Sequence, residues 1–252
     1  MKPIKLLIST LFILTCFIQA QNKFRKLSNQ AFDVGEKLTF EVSYGFVTAG
    51  IAEMEIPKMK RISGRNAYQI TFKVNSVSAF DSFYKVRDKY LTYLDAEGLF
   101  PWRFEQHIRE GGFSRDFSAF FDQKRKIAHT SEGKHKIPKY VQDIVSAFYY
   151  VRTQDFSNFK KGDKIELANF YKDKTYPLEV VYHGTETVEV QAGKFDCIIV
   201  EPLVAKGGLF KSEGNILIWL TNDKNKIPVK VKTKIIIGDI YAELIKYKGL
   251  KN

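Results

Sequence analysis

Cysteine is scarce in this chain: two residues in 252, Cys16 and Cys197. Cys16 lies in an N-terminal apolar stretch, so the body of the chain holds one thiol. One thiol cannot form an intramolecular disulfide, and the fold must therefore be held by its core. Long hydrophobic runs are missing too. The apolar stretch from Leu6 to Ile18 is interrupted by Ser9, Thr10 and Thr15, and it falls short of the roughly 20 residues that a membrane-spanning helix needs. Histidine is limited to His107, His129, His135 and His183. His129 and His135 stand six apart across a glycine-containing turn, which is not a metal-ligand spacing. There is no Gly-x-Ser-x-Gly elbow and no glycine-rich phosphate loop. No internal repeat, low-complexity tract or linker divides the chain.

The start of the chain has the layout of a secretory signal. Lys2 and Lys5 precede the apolar run, and Ile18-Gln19-Ala20 leads into Gln21. A positive start, a short apolar core and a small residue at the cut define such a signal. Cleavage is expected between Ala20 and Gln21, leaving residues 21–252 as a single domain, long enough for a real core. The alternative is lipidation at Cys16, which would tether the chain to a membrane. Thr15 before it and Phe17 after it disfavour that.

Basic residues outnumber acidic ones, 40 to 28, for a net charge of +12, and about +10 once Lys2 and Lys5 leave with the signal. An exported chain meets no chromosome, so nucleic acid is excluded as a partner. Anionic lipid head groups or acidic glycans remain candidates. The lysines are scattered, however, and scattered lysines on strands and loops also resist edge-to-edge pairing.

Period-two patterning dominates. Leu38, Phe40, Val42, Tyr44 and Phe46 alternate with polar residues, as on a half-buried strand. Gly45 and Gly50 bracket the next four residues, and Ile51 to Ile56 reads as a second strand. The same grammar recurs at Tyr68–Val74, Tyr84–Leu94, Trp102–Ile108 and Phe113–Phe121, with Lys124-Arg125-Lys126 as a hairpin tip. It returns at Lys164–Tyr171, Tyr176–His183, Thr187–Gln191, Phe195–Glu201 and three further segments to Tyr247. One segment breaks it. Val141, Ile144, Val145, Phe148 and Arg152 fall on one helical face. Pro138 precedes them, and Asp143 is placed to cap the first turn. The predicted fold is mainly β: a large, strongly twisted antiparallel sheet, barrel or half-barrel of about a dozen strands wrapping one central helix at about 141–156.

Candidate chemistry is sparse. Glu53 and Glu55 sit two apart on one strand face, as carboxylates on a solvated face do. Cys197 lies in a strand-like run and reads as a small buried hydrophobe. Aromatics are abundant, with 21 Phe and 13 Tyr. In a curved sheet they pack solid or line an apolar cavity. No catalytic, metal or cofactor site is expected, and the chain is read as a non-enzyme. The candidate ligand-binding residues are Arg152, Tyr150, Trp219 and Phe117, with Arg152 read either as an ion-paired buried group or as a receptor for an anionic head group.

Several segments, in order, resemble one family. Gly35-Glu36-Lys37-Leu38-Thr39-Phe40 with Tyr44-Gly45 and Ala49-Gly50 resembles its first hairpin, and Gly98-Leu99-Phe100-Pro101 its mid-chain turn. Asp143 to Arg152 is the closest segment. Val190 to Cys197, Ile218-Trp219-Leu220 and Ile227-Pro228-Val229 follow. The chain resembles the exported bacterial proteins of domain of unknown function 3108, in a Bacteroidota-like form. The resemblance implies export and a mainly β fold, similar to lipoprotein carriers whose curved sheet wraps a helix and can hold acyl chains. It defines no catalytic residue. The resulting expectation is a periplasmic or outer-membrane-associated envelope protein that binds an apolar or amphiphilic ligand such as a lipid. The alternative is an interaction protein of the envelope that presents a sheet face or edge to another envelope protein or to the membrane surface.

Overall fold

A computed structural model describes residues 24–204, 216–234 and 238–252. The expected signal, with Cys16, Ala20 and Gln21, lies outside the described residues. Before the helix come β1 (Lys37–Tyr44), β2 (Val47–Ile62), β3 (Arg65–Ser76), β4 (Arg87–Asp95), β5 (Pro101–Glu110), β6 (Phe113–Asp122), β7 (Ile127–Thr130) and β8 (Gly133–Lys136). After it come β9 (Lys164–Tyr171), β10 (Lys174–Val190), β11 (Gly193–Val204), β12 (Ile216–Thr221), β13 (Pro228–Lys234) and β14 (Asp239–Lys248). A single turn of helix, α1 (Ser78–Asp81), joins β3 to β4, and α2 (Ile144–Arg152) is the central helix.

All fourteen strands belong to one antiparallel sheet, and its order is β8 down to β1, then β14 down to β9. Each half is a simple meander. The halves meet where β14 pairs with β1, from Lys37↔Lys248 to Tyr44↔Ile240. The sheet rolls until β8 and β9, its two edges, face each other. No backbone ladder joins them among the described residues. Side chains do: the Thr130 hydroxyl donates to Asp173 at 2.7 Å, His135 lies 3.3 Å from the same carboxylate, and Phe121 meets Phe170 edge-on at 5.6 Å. The exposed ladder of β9 is capped by one residue of the connecting chain. Gln142 N–H donates to Ala168 at 2.8 Å, and Phe170 N–H donates to Gln142 at 2.7 Å. An unpaired edge is thereby covered without closing the barrel.

The helix forms where the sequence predicts, but it is shorter. Asp143 accepts hydrogen bonds from the backbone N–H groups of Val145 and Ser146, both at 2.9 Å. Ser146 Oγ accepts from Asp143 N–H at 2.8 Å. This reciprocal cap fixes the start, so Val141 and Gln142 are extended rather than helical. At the other end Thr153 and Gln154 turn their side chains back to the Tyr150 carbonyl, at 2.7 and 3.2 Å. That satisfies the last turn locally and ends the helix before Phe156.

Other boundaries shift for similar local reasons. Gly50 does not end a strand but lies inside β2, where a Cβ would stand 2.5 Å from the Asn75 carbonyl oxygen. Its lack of a side chain permits close approach of β3 rather than a turn. The two predicted strands around His183 are one long strand, β10, which bulges between Tyr182 and Gly184.

Meander topology sorts the hairpins between two ends. One end is plugged. Residues 24–36 cross it, with Phe24 packed on Phe100 and Trp102 and Arg25 donating to the Gly98 and Leu99 carbonyls at 2.7 and 3.0 Å. Asp95 organises the turn beneath, accepting from Gly98 N–H at 2.6 Å, from Trp102 Nε1 at 3.0 Å and from Arg65. The opposite end carries the β1–β2, β3–β4, β5–β6 and β13–β14 connections and has no such strap among the described residues.

Candidate functional site

The interior is filled on one side of the helix and hollow on the other. Under β5 to β7 it packs solid. Rings step across the sheet from Phe72 to Tyr90, Phe104 and Phe117, with centroids 5.7, 6.5 and 6.3 Å apart. Between the helix, β1 to β4 and β10 to β14 a cavity of about 410 Å³ remains, within the ~300–1,000 Å³ range of small-molecule pockets.

Period-two alternation builds its walls. Phe40, Ala52, Met54, Phe72 and Tyr90 face it from β1 to β4. Leu178, Val180, Val200, Ile218 and Leu220 face it from β10 to β12, and Val231 and Ala242 from β13 and β14. The helix forms the remaining wall through Ile144, Ala147, Phe148 and Val151. Ile144 and Phe148 are interior yet only half-buried, because they border this space. Among the described residues, only Tyr90 and Thr233 bring a side-chain hydroxyl to the lining. Such a surface can exclude water and receive an apolar body.

None of the four predicted ligand residues lines this cavity, and the structure does not bring them together. Arg152 is wholly buried at the plugged end, where it pairs in bidentate fashion with Glu36: Nη1–Oε1 and Nη2–Oε2 are both 2.7 Å. Its Nη2 also donates to the Asn225 carbonyl at 3.0 Å. Its guanidinium lies over the Tyr149 ring, 4.9 Å from the centroid. Every direction that a head group could approach is taken by protein, so Arg152 ties the N-terminal segment, the helix and the β12–β13 turn together. Tyr150 is half-buried beneath Arg25, whose guanidinium is 5.0 Å from its ring. Trp219 lies on the outer face of the sheet, buried among Val188, Cys197 and Val229, and donates from Nε1 to Glu186 at 2.7 Å. Phe117 sits in the solid part of the core.

Sequence reasoning missed Glu36 as the partner of Arg152. The cue was a carboxylate just after Gly35, where a left-handed glycine (φ 101°) turns the chain inward. It also missed the lining on β10 to β14, because those residues look like any strand core.

The remaining candidates are structural. Glu53 and Glu55 pair with Lys37 at 2.6 Å and Lys73 at 3.5 Å on the outer face. His183 meets Glu201 at 2.7 Å and His107 meets Asp116 at 2.7 Å. No group of three metal-ligating side chains occurs among the described residues. Cys197 is buried, and burial pushes its thiol up to about 11.

Asp143 has a testable electrostatic signature. Burial pushes its carboxyl up to about 6, against the opposing hydrogen bonds from Thr92 and the helix N–H groups. An acid with a raised folded-state value binds its proton more tightly in the folded state. Its contribution is therefore most favourable below the unfolded value of 3.8 and is lost as pH rises through about 6. Asn caps helices as well as Asp does. Relative to Asp143→Asn, the parent is expected to lose about 2–3 kcal/mol of unfolding free energy between about pH 4 and 7. Urea titrations of both proteins across that range check this; parallel curves would remove the assignment.

A rolled antiparallel sheet that wraps one helix and leaves an apolar hollow beside it defines a β-barrel-like class. Residues 39–245 match the family described as protein of unknown function DUF3108, and the chain belongs to that family. No curated protein matches it. Among solved structures it is similar to a β-barrel-like DUF1849 protein from Brucella abortus, at 11% identity and a TM-score of 0.57 over 86% of this chain and 98% of that one. It also matches a protein described as a candidate lipoprotein from Parabacteroides distasonis (11% identity, TM-score 0.39, 90% and 100% covered). A candidate exported protein from Bacteroides fragilis follows (13% identity, TM-score 0.36, 90% and 100% covered). No helix among the described residues is long and apolar enough to cross a membrane.

Proposed function

We propose that this chain is a non-enzymatic protein of the bacterial envelope that holds one apolar or amphiphilic molecule, such as a lipid acyl chain, against its central helix. The observation that carries the reading is the cavity of about 410 Å³, walled by aliphatic and aromatic side chains from nine strands and α2. An empty apolar space of that size forfeits dispersion contacts along its whole lining, and an apolar occupant restores them. The basic chain and the signal-like first twenty residues supply the envelope setting. Any polar head of the occupant must lie toward the open end, since Arg152 and Glu36 satisfy each other at the plugged end.

Extraction of the protein purified from its native host, followed by mass spectrometry, is expected to show a stoichiometric lipid. The delipidated protein is expected to bind a fluorescent fatty acid saturably and to release it to palmitate. Absence of both an extracted lipid and saturable binding would overturn the reading.

A further inference from the structure

Beyond the occupant of the cavity, the open end of the barrel has a surface of its own. Eleven large hydrophobic side chains are exposed among the described residues, and seven of them stand at this one end. Tyr44, Phe46 and Val47 are on the β1–β2 hairpin, Phe83 and Tyr84 on the β3–β4 connection, Phe113 on the β5–β6 hairpin and Leu203 near the end of β11. Phe46 is fully exposed and Phe83 is 85% exposed. Scattered single hydrophobics need no explanation, but a concentration at one pole does.

The tips form a connected arc. Val77 N–H donates to Ala49 at 3.0 Å, tying the β3–β4 connection to β2. Gly111 N–H donates to Lys85 at 2.8 Å, tying it to the β5–β6 hairpin. Tyr84 lies over Gly111, where a Cβ would meet its ring at 2.9 Å.

The charge around the arc is positive. Asp81, Asp116 and Asp239 are neutralised by Arg87, Arg109 and Lys232. Asp173 is engaged by Thr130 and His135. Among the described residues of this end, four carboxylates without a Lys or Arg partner (Asp88, Glu110, Glu132 and Asp173) stand against five exposed lysines: Lys85, Lys134, Lys172, Lys174 and Lys234. Two copies meeting by this end would bring like charges together. An anionic bilayer would meet aromatic tips suited to its interface and lysines suited to its head groups.

We propose that the protein docks by this end on an anionic lipid bilayer, with Phe46, Phe83 and Phe113 seated among the head groups. The rim residues of the lining, Ile216, Thr233 and Pro202, then face the membrane side of the cavity. The docking surface stands whether or not the cavity carries lipid.

Flotation of the exported chain with vesicles of phosphatidylethanolamine and phosphatidylglycerol tests it, with phosphatidylcholine vesicles for comparison. The protein is expected to float with the anionic vesicles and to be released by salt. Phe46→Ser combined with Phe83→Ser is expected to lower the partition constant by about tenfold or more. Phe120→Ser, which removes an exposed ring from the outer face of β6, is expected to leave it unchanged. The proposal falls if the parent ignores anionic vesicles, or if the rim and control variants lose binding alike. It also falls if sedimentation shows the rim variants altering self-association with vesicle binding intact. Fatty-acid displacement on the same variants keeps the questions separate: vesicle binding without fatty-acid binding removes the cavity reading and leaves this one standing.

Discussion

Arg152→Met is expected to destabilise the protein by about 3–5 kcal/mol, the effect of stranding one member of a buried ion pair. Both side chains are fully buried, and Glu36 receives both forks of the guanidinium. Removing the arginine leaves a carboxylate with only a 3.4 Å contact from the Tyr149 hydroxyl. It also frees the Asn225 carbonyl. Since domains are stable by about 5–15 kcal/mol in total, this one change takes a large share of the margin. The double variant Glu36→Gln with Arg152→Met removes both charges and is expected to recover more than half of the loss. Urea unfolding of the parent, the single variant and the double variant measures this. A single-variant loss below about 1 kcal/mol would mean that the pair is solvated. A double variant no better than the single would mean that shape, not charge, matters there.

The second large effect concerns binding. Ala147 sits on α2 with its methyl in the cavity wall. Ala147→Phe directs a ring into that space and displaces the part of the occupant that lies there. At about 0.8 kcal/mol per methylene, losing three or four methylenes weakens fatty-acid binding by about 100-fold. Stability is expected to change by less than about 1.5 kcal/mol, because the added volume enters a hollow rather than a packed site. Phe120→Ser serves as the control. That ring is exposed on the outer face of β6, and its loss should leave binding intact. Fluorescent fatty-acid titrations decide between the two. Unchanged affinity in Ala147→Phe would place the ligand elsewhere.

Much of the fold was legible because period two is a local signal. Lys164–Tyr171 matches β9 at both ends, and Asp143 caps the helix as its position suggests. Where the reading slipped, a non-local partner decided. Gly50 looks like a turn residue until the Asn75 carbonyl is placed beside it. The β8 strand, Gly133–Lys136, has no hydrophobic alternation and exists because Ile127–Thr130 pairs with it. The site was less legible than the fold. Val180, Val200 and Leu220 carry the same pattern whether they press on a neighbour or on an empty space, because periodicity reports which face a side chain takes and not what lies opposite. Arg152 stood out in sequence as a charge on an apolar helix. Its partner lies 116 positions away, and a lone charge on a buried helix looks the same whether it awaits a ligand or already has a carboxylate.

The pairing of β1 with β14 has a consequence for how the chain comes into being. The first strand of the sheet finds its second neighbour only in the last strand, and Lys251 reaches back to the Asn29 carbonyl 222 positions away. The middle of the sheet is thus the final part to be completed, and it cannot form on a nascent chain whose C-terminal strand is still in the ribosome. Such distant contacts fold slowly. The whole sheet is therefore completed only once the last strand is available, an order of assembly compatible with the export proposed above.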